Sequence, residues 1–237
     1  MDPREAISRL QGRKFLLLLL ALLLLMVLDP LLACLHLGRK LFDLLFCVVL
    51  LATVFAVSQH KRPFLAALLL ALPALSVTWI VYGFSPSSSA GAAIIVVRHL
   101  LSMLFLAFTA GVILYDVLQG ENIDGDKICG AICVYLLIGL AWGILYSLCD
   151  RLYDDAFSMS PALVAEAVED ESSGEPPVSV YVYYSFVTLT TLGYGDVSPL
   201  PAPVRTFAWL EAVVGQLYIA VLVARLVGLH IAQSRRP

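Results

Sequence analysis

Six stretches of this chain, at about 15–37, 41–59, 64–84, 90–118, 128–149 and 203–232, are apolar over a length that fills a bilayer. A membrane-spanning helix needs about 20 apolar residues in a row. Composition agrees: 60% of the 237 residues are hydrophobic and 14% are charged, which is more apolar surface than one water-soluble domain of this size buries. In lipid every backbone polar group must find a partner inside the protein. The expected fold class is therefore an all-α membrane protein with six transmembrane helices.

Gly38-Arg39-Lys40 separates the first two runs and predicts a tight helical hairpin, while Pro30 and Pro73 predict kinks in the first and third helices. The Leu-rich opening behind Arg4, Arg9, Arg13 and Lys14 has some features of a signal peptide. Leu31-Leu32-Ala33-Cys34 even resembles a weak lipoprotein cleavage box. Asp29-Pro30 breaks the run where processing would occur, so a retained first helix is expected. With the N-terminus in the cytoplasm, Arg4, Arg9, Arg13, Lys14, Lys61, Arg62, Lys127, Arg225, Arg235 and Arg236 fall inside. Only Arg39, Lys40, Arg151 and Arg205 fall outside. The positive-inside rule then puts both termini in the cytoplasm of a multi-pass plasma-membrane protein. The small size and Ala/Leu-rich helices give it a prokaryotic look, for which that membrane would be the bacterial inner membrane.

A net charge of −3 gives no reason to expect a nucleic-acid partner. No phosphate loop, metal-ligand spacing or nucleophile–base set stands out, so neither an enzyme nor a cofactor is expected. Cys34, Cys47, Cys129, Cys133 and Cys149 lie mostly in apolar runs and read as small packing residues. His36, His60, His99 and His230 are scattered singly, without the clustering of a pH sensor.

The chemistry is concentrated between the fifth and sixth runs. Residues 150–177 are polar and acidic, end in Pro176-Pro177, and read as an extracellular turret. Residues 178–190 are apolar but too short to span, which fits a half-membrane helix. Thr191-Leu192-Gly193-Tyr194-Gly195-Asp196 follows, and Pro199 and Pro201 delay the next helix. A short helix whose C-terminal dipole end lies in the membrane favours a positive charge there. Non-helical backbone at that depth must be packed in protein or line a water-filled path. Gly193 and Gly195 allow backbone angles that turn carbonyls to one side. Such carbonyls, with the Thr191 hydroxyl, can replace the hydration shell of a cation.

Thr188-Leu189-Thr190-Thr191-Leu192-Gly193-Tyr194-Gly195-Asp196 resembles the signature filter of the tetrameric potassium channel superfamily, with Leu192 where Val or Ile is commoner. The resemblance implies K+ bound by Thr191, Leu192, Gly193, Tyr194 and Gly195, with filter support from Tyr183, Tyr184, Thr190, Asp196 and Glu211. Tyr183 and Tyr184 stand where many members carry tryptophans, and their hydroxyls are expected to bond toward Tyr194 or Asp196. Val187 occupies a position where some members place a carboxylate. Glu211 is too costly to leave unpaired in a membrane and is expected to bond the back of the pore helix. Gly215 falls at the hinge position of the inner helix, and helical spacing from it turns Gln216, Ile219, Val223 and Val227 toward a cavity. One filter per chain implies a homotetramer.

The implied organisation is a cytoplasmic tail (1–14), a four-helix voltage-sensor-like domain (15–118), a linker (119–127), a pore domain (128–232) and a tail (233–237). Within the pore domain run an outer helix (128–149), the turret (150–177), a pore helix (178–190), the filter (191–196) and an inner helix (203–232). The fourth helix carries a single basic residue, Arg98. One charge in each of four subunits supplies at most about 9 kcal/mol per 100 mV, too little for steep voltage gating. Arg98 is expected to pair with Asp29 or Asp43, or to snorkel to the headgroups. With tails this short, a ligand-sensing domain is not expected. The function expected is passive K+ conduction; a non-selective cation channel and a non-conducting regulatory subunit are the alternatives.

Overall fold

The computed structural model describes residues 13–32, 38–58, 61–80, 89–119, 124–153, 155–161, 163–164 and 176–234. The elements run α1 (Lys14–Leu32), α2 (Gly38–Val57), α3 (Lys61–Ile80), α4 (Ser89–Gln119) and α5 (Gly125–Leu152). They continue through β1 (Phe157–Met159), α6 (Val178–Leu189) and β2 (Val197–Pro199) to α7 (Ala202–Ser234). Among the described residues, four segments are long and apolar enough to cross a membrane: Arg62–Ile80, Ala90–Gln119, Gly125–Leu152 and Ala202–Arg225. Lys14–Leu28 and Leu41–Val57 are apolar but shorter.

The observed ends correct several expectations. Gly38-Arg39-Lys40 belongs to α2, so the connection between α1 and α2 falls in residues 33–37, outside the described set. α1 is described to Leu32 and α3 to Ile80; the expected ends at 37 and 84 lie outside the described residues. The helices continue through Pro30 and Pro73. α5 begins earlier than expected because the Asp124 carboxylate caps it, accepting from Lys127 N at 2.8 Å. The turret is not wholly a loop: Phe157, Ser158 and Met159 pair antiparallel with Pro199, Ser198 and Val197.

α1 packs on α2 and α5, α2 on α3, α3 on α4, and α4 on α5, which closes a ring of contacts with α5 as a member. α5 thus serves the first four helices and also carries α6 and α7. At one end, Asp126 Oδ1 accepts the amides of Phe15 and Leu16 at 3.1 Å each, satisfying donors that the start of α1 leaves free. Lys14 Nζ meets Asp116 Oδ2 at 2.9 Å there. Phe15 lies on Gly130, where an added Cβ would come 2.9 Å from the ring.

Inside the ring, Arg98 of α4 pairs with Asp43 of α2, Nη1 lying 3.1 Å from both carboxylate oxygens. The side chains are 12% and 6% exposed, so the pair faces the protein interior and does not reach outward to headgroups. A cavity of about 20 Å³ beside it is lined by Asp43, Thr78, Arg98, His99 and Ser102, room for about one water. His99 Nδ1 lies 2.8 Å from Ile95 O; a carbonyl only accepts, so this nitrogen carries a proton. Its Nε2 meets Ser147 Oγ of α5 at 3.2 Å.

α6 docks on α5 through two glycines one turn apart. A Cβ on Gly139 would come 2.5 Å from the Phe186 ring, and one on Gly143 would come 2.8 Å from Val182 Cα. This small-xxx-small groove lets two backbones approach where large side chains would hold them apart. Gly143→Ala should lower the thermal midpoint of the detergent-purified protein, with a cost of about 1–3 kcal/mol typical of overpacking. Gly111→Ala, which meets nothing within 4 Å, should not. For the ion pair, Arg98→Gln or Asp43→Asn alone should destabilise by roughly 3–5 kcal/mol, the usual cost of breaking a buried pair. The double variant should recover part of that loss; single variants with unchanged midpoints would deny the pair any structural role.

Candidate functional site

α6 is apolar along its length and starts after Pro177, whose fixed geometry (φ −65°) suits a helix entrance. Twelve residues at about 1.5 Å each give roughly 18 Å, short of the 30 Å of a bilayer core. The helix stops at Leu189 with Thr190 as its C-cap, one residue before the expected end. Beyond it the backbone alternates in hand: φ is +59° at Thr191, +62° at Gly193 and +79° at Gly195, with Leu192 and Tyr194 between them at negative φ. For the two glycines this costs little. For Thr191, a β-branched residue, it is a strained conformation that its surroundings must hold.

The amides show what holds it. Thr191 N donates to Thr188 O at 2.9 Å, Leu192 N to Val187 O at 2.9 Å, and Gly193 N to the same Val187 O at 3.3 Å. Three successive N–H groups therefore point back at the end of α6. In a trans peptide the carbonyl oxygen points opposite to the next residue's N–H, and no peptide here is cis. The carbonyls of Thr190, Thr191 and Leu192 are thereby turned away from α6, onto a face where residues 190–195 are exposed. Leu192 is 56% exposed and Tyr194 66%.

The far end of the segment is tied by Asp196. Its Oδ2 accepts from Tyr183 Oη at 2.5 Å and its Oδ1 from Val197 N at 3.1 Å. Its carbonyl accepts from Ser160 N at 2.8 Å. The β1–β2 pair thus clamps the chain just after Gly195. Of the two adjacent tyrosines, Tyr183 bonds Asp196, whereas Tyr184 is turned inward against Tyr146 (4.9 Å between ring centres) and Phe157 (5.2 Å). The expectation that both would bond toward the filter is corrected for Tyr184, because successive residues of a helix point about 100° apart. Val187 is buried, and its contribution is its carbonyl.

α7 supplies the wall behind. Glu211 is fully buried, and its carboxyl lies 2.6 Å from Tyr146 Oη of α5 and 2.5 Å from Ser185 Oγ of α6. Gly215 sits against the end of α6, where a Cβ would come 2.4 Å from Leu189 O. What the structure asks of this glycine is close approach. Tyr135 Oη donates to the same carbonyl at 3.4 Å. Gln216, Ile219, Val223 and Val227 share one exposed stripe of α7. Arg98 and Asp43 are paired away from this region, and the side chain of Asp29 lies outside the described residues.

Sequence reasoning missed Ser185, Tyr146 and the Gly139/Gly143 groove. The last was legible as Gly-x-x-x-Gly in an apolar run. Ser185 and Tyr146 carry no local signature, since their partner is remote in sequence. Among the described residues no group of His, Cys, Asp or Glu is arranged to hold a metal ion.

Residues 131–230 match the family model described as an ion channel. Neither curated proteins nor solved structures gave a significant match. The matched segment covers α6, the segment 190–196 and nearly all of α5 and α7. It supports an ion channel, a multi-pass membrane protein and not an enzyme.

Proposed function

We propose that the chain is one subunit of a homotetrameric, potassium-selective channel, conducting K+ passively through the backbone carbonyls of residues 191–195. The observation that carries this reading is the turning of three successive amides onto α6, which faces successive carbonyls outward from the chain. A single row of carbonyls cannot enclose an ion. Four rows around an axis can, and they can stand in for its hydration shell. Tetramer formation would also cover Leu192 and Tyr194, which are costly to leave facing water. In this reading α6 is re-entrant, all six long helices cross the membrane, and both termini are cytoplasmic. Gln216, Ile219, Val223 and Val227 line the cavity, and Gly215 is a hinge as well as a contact.

Steep voltage dependence is not part of the proposal. The one basic residue of α4 is engaged by Asp43 in the protein interior, and a single charge per subunit supplies only about 2.3 kcal/mol per 100 mV.

Ion binding at the filter should stabilise the assembled form by mass action. The purified protein should run as a tetramer whose thermal midpoint is higher in KCl than in NaCl at equal ionic strength. Gly193→Ala, which places a side chain at positive φ in the carbonyl row, should abolish the difference. Equal midpoints in the two salts from a verified tetramer would favour the non-selective reading; a monomer would contradict the proposal outright.

A further inference from the structure

The hydrogen atoms around Glu211 do not balance if its carboxyl is ionised. Ser185 Oγ lies 2.7 Å from the carbonyl oxygen of Gly139 and 2.5 Å from Glu211 Oε1. A hydroxyl has one hydrogen, and both a carbonyl and a carboxylate only accept. One of the two short contacts would then place acceptor against acceptor inside a fully buried site, which is expensive. Glu211 Oε2 meanwhile accepts from Tyr146 Oη at 2.6 Å. Among the described residues no Lys, Arg or His forms an ion pair with Glu211.

A proton on Glu211 Oε1 resolves the count. The carboxylic acid donates to Ser185 Oγ, Ser185 donates to Gly139 O, and Tyr146 donates to Glu211 Oε2. Every polar atom of the group is then satisfied, and no uncompensated charge lies in the interior. The three side chains come from α5, α6 and α7, and the Gly139 carbonyl belongs to the groove that receives α6. Glu211 also lies one turn before Gly215, the residue that abuts the last carbonyl of α6.

We propose that Glu211 is a neutral, proton-bearing carboxylic acid that positions α6, and so the carbonyl row of residues 191–195, relative to α5 and α7. The group is a positioning device: it touches no ion. It makes the filter depend on the inner helix through directional bonds, so a shift of α7 at this level must break or drag the seat of α6. This inference rests on the reading of residues 191–195 as a filter, and two separate measurements keep the two claims apart.

The first is infrared spectroscopy of the full-length protein at neutral pH. The wild type minus Glu211→Gln difference spectrum should contain the carbonyl stretch of a protonated carboxylic acid, shifted in heavy water. Its absence would overturn the proposal, whatever the channel conducts. The second is the K+/Na+ permeability ratio of the same proteins in planar bilayers. Gln reproduces one donor and one acceptor, so Glu211→Gln should stay within about twofold of wild type. Glu211→Ala should lower the ratio by about tenfold, the scale of one lost buried hydrogen-bond partner. If Glu211→Ala does not assemble, Ser185→Ala and Tyr146→Phe, which each remove one hydroxyl at nearly constant volume, should lower the ratio in its place. Gln behaving as badly as Ala, or hydroxyl-deleted variants keeping the wild-type ratio, would overturn the positioning role. A wild type with no discrimination would instead refute the filter reading, and the infrared band would still decide the protonation.

Discussion

Backbone amides cannot be left unpaired inside an apolar layer, and in the proposed re-entrant arrangement residues 190–196 are where this chain meets that constraint. They follow a helix too short to cross a membrane and precede one long enough to do so. The Val187 carbonyl takes two successive amides and the Thr188 carbonyl takes the one before them. That arrangement works only if the backbone alternates in hand, which is why glycines stand at 193 and 195 and why Thr191 is strained. The same bonds that satisfy the amides leave the carbonyls facing outward. In the proposed function, that outward row would serve as ligands for a cation.

The segment keeps this shape because α6 is held on three sides. Gly139 and Gly143 bring it against α5, Gly215 brings α7 against its last carbonyl, and the Glu211 group joins all three helices. The β1–β2 pair and the Tyr183–Asp196 bond fix the exit. An aromatic cluster around Tyr146, with Trp142, Phe157 and Tyr184 at 4.9–6.0 Å between centres, fills the space behind. Each such pair contributes about 0.5–1.5 kcal/mol beyond burial. α5 is also a wall of the five-helix ring, so α1 and α4 rest directly on the element that seats α6. His99 meeting Ser147 and Phe15 lying on Gly130 are two places where that contact is made.

Much of this was legible in the sequence where the signal is local. Apolar runs of bilayer length gave the long helices to within a few residues, because hydropathy and helix length are set by the same thickness. Thr191–Asp196 and the need of Glu211 for a partner near the pore helix were both readable, as was Asp43 as one of two candidates for Arg98. Helix ends were less legible: the start of α5 depends on Asp124 winning its free amides. Strand β1 was hidden in the acidic stretch 150–177 because its pairing partner lies beyond residues 190–196, and three residues are too few for a periodic signal. Ser185 and Tyr146 could not be assigned from sequence, since only folding brings residues 146, 185 and 211 together.

The central claim is that the backbone carbonyls of residues 191–195 select K+ when four chains meet. The most direct test is the reversal potential of the purified protein in a planar bilayer with K+ on one side and Na+ on the other. The account predicts a potential displaced strongly toward the K+ equilibrium value, with the displacement lost in Gly193→Ala. A reversal near zero in wild type, from a verified tetramer, would contradict it.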